Sequence, residues 1–139
     1  MPLLTRVYVK TSLAYFLLAL LAGLLIALQS AGLARWTLAG IFPVYLHLFV
    51  LGWITQLIFG VVYWMFPKFS RDLPRGRVVL AWFAYAALNL GLVLRTVAEP
   101  LNAISPSPAP GWALAASALL LWLAGAAFTA NTWKRVKEK

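Results

Sequence analysis

Apolar positions in this chain fall in four long blocks separated by short polar segments. The blocks cover about residues 11–29, 41–66, 78–97 and 111–132, and each is bounded by glycine, proline or basic residues. A bilayer core about 30 Å thick needs roughly 20 apolar residues in a helix. Each block meets this length. The pattern therefore predicts an all-α integral membrane protein, a four-transmembrane-helix bundle in one domain over residues 1–139.

The composition agrees with lipid as the solvent of this chain. Hydrophobic residues make up 63% of it and charged residues only 11%, whereas about a quarter of the residues of a soluble domain are charged. The chain has no cysteine, which excludes disulfides, iron–sulfur clusters and thiolate metal sites.

The basic residues are distributed unequally between the two ends of the predicted helices. One end holds only Arg35 and Arg95, and the other holds Arg6, Lys10, Lys68, Arg71, Arg75, Arg77, Lys134, Arg135, Lys137 and Lys139. Cytoplasmic loops carry the excess of Lys and Arg, so both termini are expected in the cytoplasm of a prokaryotic inner-membrane protein. The net charge of +9 is thus a topology signal, and lipid rather than nucleic acid is the expected partner.

The connection between the third and fourth blocks is rich in proline. It covers about Ala98–Pro110, and the prolines predict a short extended cap rather than a helix.

The second block contains His47, the single histidine of the chain, six residues after Ile41. A helix rises 1.5 Å per residue, so His47 is expected about 9 Å below the outer end. An ionisable residue inside a span is a functional candidate. The alternative is a structural histidine that hydrogen-bonds a backbone carbonyl or a neighbouring tyrosine.

Helical geometry gives this block two different faces. At 100° per residue, Leu51, Ile54 and Ile58 lie within about 40° of His47, which surrounds the imidazole with aliphatic side chains. The opposite face carries small and polar residues suited to close helix packing or to contacts between copies: Tyr45, Gly52, Gln56, Gly60 and Tyr63.

An apolar face with one imidazole is suited to axial ligation of haem iron. A site made by protein ligands alone would need three or four of them, so no protein-only metal site is expected. Arg35 and Arg95 are candidate partners of the haem propionates, and Trp53 is a candidate wall of the porphyrin site. The alternatives are an ion pair of Arg95 with Glu99 four residues on and an interfacial position for the tryptophan.

Two stretches of this block resemble a known family. They are PVYLHLFVLGW from Pro43 and GVVYWMFPKFS from Gly60, and they resemble haem-bearing helices of subunit I of the haem-copper oxidases and nitric oxide reductases. Those helices carry H-x-H or a single histidine, a glycine thirteen residues later, and an aromatic-Phe-Pro at the cytoplasmic end. His47, Gly60 and Phe66-Pro67 stand at these offsets.

The resemblance implies that His47 ligates a haem b, as the second histidine of H-x-H does in that family. Tyr45 replaces the first histidine, and the copper-binding histidines have no counterpart. The chain alone is therefore not expected to be an enzyme that reduces oxygen. The implied fold is one four-helix arc of subunit I. Three copies would reproduce its outline, so a homotrimer is favoured, while a dimer also fits.

The leading hypothesis from the sequence is a haem b-binding membrane protein related to oxidase subunit I. It would act in electron transfer, gas (NO or O₂) binding or haem handling, as a homo-oligomer whose second axial ligand comes from another protomer or a small molecule. The alternative is a cofactor-free accessory or assembly subunit of a respiratory membrane complex, with Gly52, Gln56 and Gly60 at the contact surface.

Overall fold

The computed structural model describes residues 1–33, 38–71 and 73–136. Every regular element within these residues is a helix. The chain forms α1 (Leu3–Ser30), α2 (Ile41–Met65), α3 (Val78–Ile104) and α4 (Pro108–Thr132), and a 3₁₀ turn over Trp133–Arg135 continues α4. All four of these helices are long and apolar enough to span a membrane, which confirms the predicted helical class.

Local sequence accounts for where α1 begins and ends. The helix begins directly after Pro2, whose backbone is extended. At the other end, Gly32 has a φ of 70°, a conformation that glycine adopts without steric cost. The Gly32 amide donates to the Gln29 carbonyl and the Leu33 amide to the Leu28 carbonyl. This is the Schellman arrangement that closes a helix.

The proline-rich connection differs from the prediction. Residues predicted as an extended cap from Ala98 are helical as far as Ile104, and α4 already begins at Pro108. Pro100 lies inside α3, where membrane helices tolerate proline better than soluble helices do. Pro108 lies in the first turn of α4, where no intrahelical N–H is needed. The prolines therefore shorten the connection to three residues, 105–107.

The middle of α2 departs from regular α-helix. Residues Leu48–Thr55 form π-type helix, in which each amide bonds the carbonyl five residues earlier. The wider turn shifts the residues that follow around the helix axis. As a result, Leu51 packs against the core, whereas Ile54 and Ile58 are 38% and 51% exposed. The residues predicted to form one aliphatic face around His47 are thus split between the core, which Leu51 contacts, and the exposed surface, where Ile54 and Ile58 lie.

Helices α1 and α2 pack closely because tyrosines of α1 lie directly against two glycines of α2. A Cβ on Gly52 would lie 2.8 Å from Cγ of Tyr15, and one on Gly60 would lie 2.7 Å from Cβ of Tyr8. The ring of Tyr8 is almost completely buried. The absence of a side chain at both positions is therefore what permits this close approach.

Helices α3 and α4 attach to this pair through aromatic and polar contacts. The Ser117 hydroxyl donates to the Gly91 carbonyl over 2.7 Å and joins α4 to α3. Thr11 of α1 and Tyr85 of α3 share a hydrogen bond of 2.9 Å. The rings of Phe59 and Phe128, from α2 and α4, stack with centroids 3.7 Å apart.

Candidate functional site at His47

The turn before α2 positions His47 against α3. Gly40 has a φ of 74°, and a Cβ there would lie 2.8 Å from the carbonyl oxygen of Glu99 and 3.0 Å from Cα of Pro100. Only glycine combines this backbone conformation with so close an approach. The first turn of α2 therefore rests directly on α3, and His47, seven residues later, faces Arg95 of α3.

Both ring nitrogens of His47 are hydrogen-bonded. Nδ1 lies 2.7 Å from the carbonyl oxygen of Pro43, and Nε2 lies 2.7 Å from a terminal guanidinium nitrogen of Arg95. A carbonyl oxygen can only accept, so Nδ1 carries the proton. Nε2 then has a free lone pair and accepts the bond from Arg95. The contacts thus describe a neutral imidazole of fixed tautomer and orientation.

The guanidinium of Arg95 connects His47 to an acid on its own helix. The same nitrogen lies 3.7 Å from a carboxylate oxygen of Glu99, one turn further along α3. The side chains of Arg95 and Glu99 are 18% and 19% exposed. The chain thus places an imidazole, a guanidinium and a carboxylate in one small polar group between α2 and α3, which we name the His47 cluster.

The His47 cluster matches part of what a haem site requires. An imidazole that ligates a metal through Nε2 typically donates its Nδ1–H to a carbonyl or carboxylate, and His47 has this arrangement. Arg95 supplies a cation next to the ligating atom, but its guanidinium now occupies the Nε2 lone pair. Ligation through Nε2 therefore requires Arg95 to release the imidazole and take another anionic acceptor.

The other residues predicted for a haem site lie elsewhere or outside the described part of the chain. Arg35 is one of the residues outside it. The indole of Trp53 packs on Phe16, with ring centroids 4.0 Å apart, and on Phe49. Trp53 thus belongs to the α1–α2 contact, on a different side of α2 from the bond to Arg95. Among the predicted residues that the structure describes, His47 and Arg95 are brought together, whereas Trp53 is not part of this contact.

The small and polar face of α2 is buried against α1 of the same chain. Gly52 and Gly60 receive the two tyrosines of α1, and the ring of Tyr45 lies against Gly23 of α1. Gln56 is fully buried, and Tyr63 is 5% exposed. Four of the five predicted residues are thus buried within the chain, and Tyr45 is half-buried.

An apolar groove lies between α1, α2 and α3. It has a volume of about 330 Å³, and its lining includes Val44 and Leu48 of α2, Leu21 of α1 and Val97 of α3. The members of the His47 cluster do not line this groove.

Two functional contacts were not predicted from the sequence. The hydrogen bond between His47 and Arg95 joins residues 48 positions apart, and no local sequence pattern predicts such a pair. The second is Arg135, fully buried, which donates to the carbonyls of Tyr63, Phe66 and Pro67 at the end of α2. In the sequence, Arg135 served only as one of the basic residues that predict the cytoplasmic side, and this count gave no sign of its burial.

Within the described residues, no group of three or more His, Cys, Asp and Glu side chains is arranged to hold a metal ion. Comparison with family models, with curated proteins and with solved structures found no match.

Proposed function

We propose that this chain is a multi-pass protein of the prokaryotic cytoplasmic membrane, with both termini cytoplasmic, that binds haem b through His47. The observation that supports it best is the fixed tautomer of His47, whose Nδ1–H bonds the Pro43 carbonyl and leaves the Nε2 lone pair directed at α3. Arg95 would pair with a propionate after releasing the imidazole. Bound haem would supply electron transfer or reversible binding of a diatomic gas.

The proposal includes self-association. A six-coordinate iron needs a second axial ligand, and the chain has no second histidine. We infer that this ligand comes from another copy or from a small molecule. A homotrimer in which each copy corresponds to one four-helix arc of oxidase subunit I would provide such a neighbour. Without a second ligand the iron would stay five-coordinate and open to NO, CO or O₂.

Spectroscopy of the detergent-purified chain during titration with hemin tests this proposal. We expect a Soret band and sharp α and β bands after reduction with dithionite. The His47→Ala variant should bind hemin at least about 10–100-fold more weakly, because losing the ligand itself should cost no less than losing a group that supports it. Added imidazole should restore the low-spin spectrum of that variant, because it replaces the missing ligand.

Tyr45→Phe serves as the matched control, since it changes one polar aromatic two residues from His47 and on the face toward α1. Its spectrum should equal that of the original chain. An unchanged Soret band in His47→Ala, or a chain that remains colourless with excess hemin, would contradict the proposal.

A second candidate function is favoured by the contacts within the His47 cluster, although Nε of Arg95 is buried without a hydrogen-bond partner among the described residues. Nε2 already accepts a bond from Arg95, and Arg95 also contacts Glu99, so the cluster can join α2 to α3 without a cofactor. The chain would then be an accessory or assembly subunit of a respiratory complex. Its contact surface would be the exposed aliphatic side of α2, formed by Leu46, Val50, Ile54 and Ile58. Co-purification of a pigment-free chain with such a complex would support this function, and a coloured self-associated chain would exclude it.

A further inference from the structure

The loop between α2 and α3 forms a concave basic surface at the predicted cytoplasmic end of the bundle. Its cavity has a volume of about 590 Å³ and is lined by Lys68, Phe69, Ser70, Arg71, Pro74 and Arg75. Half of these residues are cationic. Segment 68–77 contains four basic residues and one acid, Asp72, which lies outside the described residues, so its net charge is +3.

Hydrogen bonds within the loop give the cavity a defined shape. The Phe69 amide donates to the Pro74 carbonyl, and the Leu73 amide donates to the Ser70 hydroxyl over 2.9 Å. Gly76, at a φ of 77°, closes the turn before α3. The described backbone on either side of residue 72 thus contributes to the shape of the cavity together with the basic side chains.

Helix α4 fixes this loop to the body of the protein. The side-chain oxygen of Asn131 accepts from the Arg77 amide, and its nitrogen donates to the Arg75 carbonyl. Arg135 holds the start of the loop through the Pro67 carbonyl. These anchors hold the backbone that carries the three cations of the cavity.

Exposed apolar side chains lie in the same loop and at the adjoining helix ends. Phe69 and Leu73 are 39% and 44% exposed, and Met65 and Val79 at the adjoining helix ends are 68% and 82% exposed. A small soluble anion would gain nothing from these apolar neighbours. A lipid would contact both the cationic and the apolar side chains, since its headgroup would bind the cations and its acyl chains would pack on the apolar helix ends.

We propose that the cavity formed by Lys68, Arg71 and Arg75 binds the phosphate group of an anionic phospholipid. Arginine and lysine recognise phosphate through charge-assisted hydrogen bonds, and the two arginines can do so with paired donors. The proposal rests on the proposed membrane insertion and is independent of haem. A colourless chain could still bind the lipid, so the two proposals can fail separately.

Binding of phosphatidylglycerol to the full chain in neutral detergent tests the site, with phosphatidylcholine as the uncharged comparison. Native mass spectrometry would count bound lipids, and the thermal unfolding midpoint would report stabilisation by the ligand. The test variant is the triple change Lys68→Gln, Arg71→Gln and Arg75→Gln. The matched control removes three charges from the same predicted side but outside the cavity, by Arg6→Gln, Lys10→Gln and Lys134→Gln. These three control residues are all exposed.

We expect selective binding of phosphatidylglycerol that the test variant weakens by at least about tenfold and the control variant leaves within about twofold. Each basic residue near an anionic headgroup contributes roughly a fivefold factor. Equal loss in both triple variants would show diffuse attraction and overturn the site. An equal shift of the unfolding midpoint by inorganic phosphate alone would identify free phosphate as the ligand and overturn the lipid assignment. The single variant Arg71→Gln gives the same readout if the triple variant does not fold.

Discussion

At the scale of single residues, two polar side chains of α2 differ in burial and in hydrogen bonding, since His47 is half-buried and Gln56 is fully buried. His47 has partners for both ring nitrogens, from its own helix and from α3. Gln56 is fully buried, and neither its amide oxygen nor its amide nitrogen has a hydrogen-bond partner among the described residues. A buried amide without a partner costs about 1–3 kcal/mol of stability. His47 therefore supports the packing of α2 on α3, whereas Gln56 weakens the interior around it.

Replacing Gln56 by methionine should stabilise the protein. Methionine has similar length and flexibility, and it removes the unpaired amide, so the free energy of unfolding should rise by about 1–2 kcal/mol. Reversible unfolding in mixed micelles measures this change. Gln29→Met is the control, since the amide oxygen of Gln29 accepts from the Leu38 amide and the side chain is only half-buried. Because this change breaks a hydrogen bond and does not remove an unpaired amide, the free energy of unfolding should fall by about 0.5–1.5 kcal/mol. A destabilised Gln56→Met variant would mean that the amide has a partner such as bound water.

At the scale of elements, α2 depends on contacts at both of its ends and on a non-standard middle. Gly40 allows the start of α2 to pack directly against α3. The π-type segment Leu48–Thr55 lies in the centre of α2, and Arg135 of α4 donates hydrogen bonds to carbonyls at its end. Phe66 is extended and precedes Pro67, which stops the helix there. The start of α2, with His47, is therefore held by α3, and its end is held by α4.

The buried guanidinium of Arg135 should be the main stabiliser of the end of α2. Removing it in Arg135→Gln breaks hydrogen bonds to the carbonyls of Tyr63, Phe66 and Pro67. A hydrogen bond from a charged donor contributes about 1.5–3 kcal/mol. The sum is reduced because water can reach the exposed Pro67 and because one terminal nitrogen of Arg135 is buried without a partner among the described residues. We expect a loss of about 2–4 kcal/mol in the free energy of unfolding. Arg135→Lys should lose an intermediate amount because an ammonium lacks the planar fork of donors.

The neighbouring Lys134 provides the control for this prediction. Lys134 is exposed, so Lys134→Gln should change the free energy of unfolding by no more than about 0.5 kcal/mol. Equal stability of Arg135→Gln and the original chain would show that water satisfies the three carbonyls as well as the guanidinium does.

At the scale of the whole molecule, the four helices could be predicted because length and hydropathy are local signals. The end of α3 could not be predicted, because Pro100 resembles a loop signal in the sequence but lies inside the helix. Proline is tolerated at this position because of its helical surroundings. The spacing of Gly52 and Gly60 predicts that they permit close helix packing. It does not predict that α1 is the helix that packs against them. The contact of Arg95 with His47 depends on how the turn at Gly40 packs α2 against α3. The periodicity of apolar residues does not predict this packing.

The orientation of the bundle remains a prediction from charge, and the absence of cysteine from the chain makes it directly testable. Single cysteines can be placed by Ser105→Cys, between α3 and α4, and by Ser70→Cys, between α2 and α3, since both serines are exposed. Because the basic residues favour a cytoplasmic α2–α3 loop, a membrane-impermeant maleimide should label Ser105→Cys in intact spheroplasts. It should label Ser70→Cys only after lysis.

The original chain controls for non-specific labelling because it has no thiol. The reverse result would put the His47 cluster at the cytoplasmic end and the Lys68–Arg75 loop outside, against the distribution of charge. Labelling of both sites in intact cells would indicate two orientations. In that case half of the copies would present His47 to each side, and no single direction of electron or gas transfer could follow from the fold. The expected result would instead place the His47 cluster in the outer third of the membrane and the basic loop at the cytoplasmic leaflet.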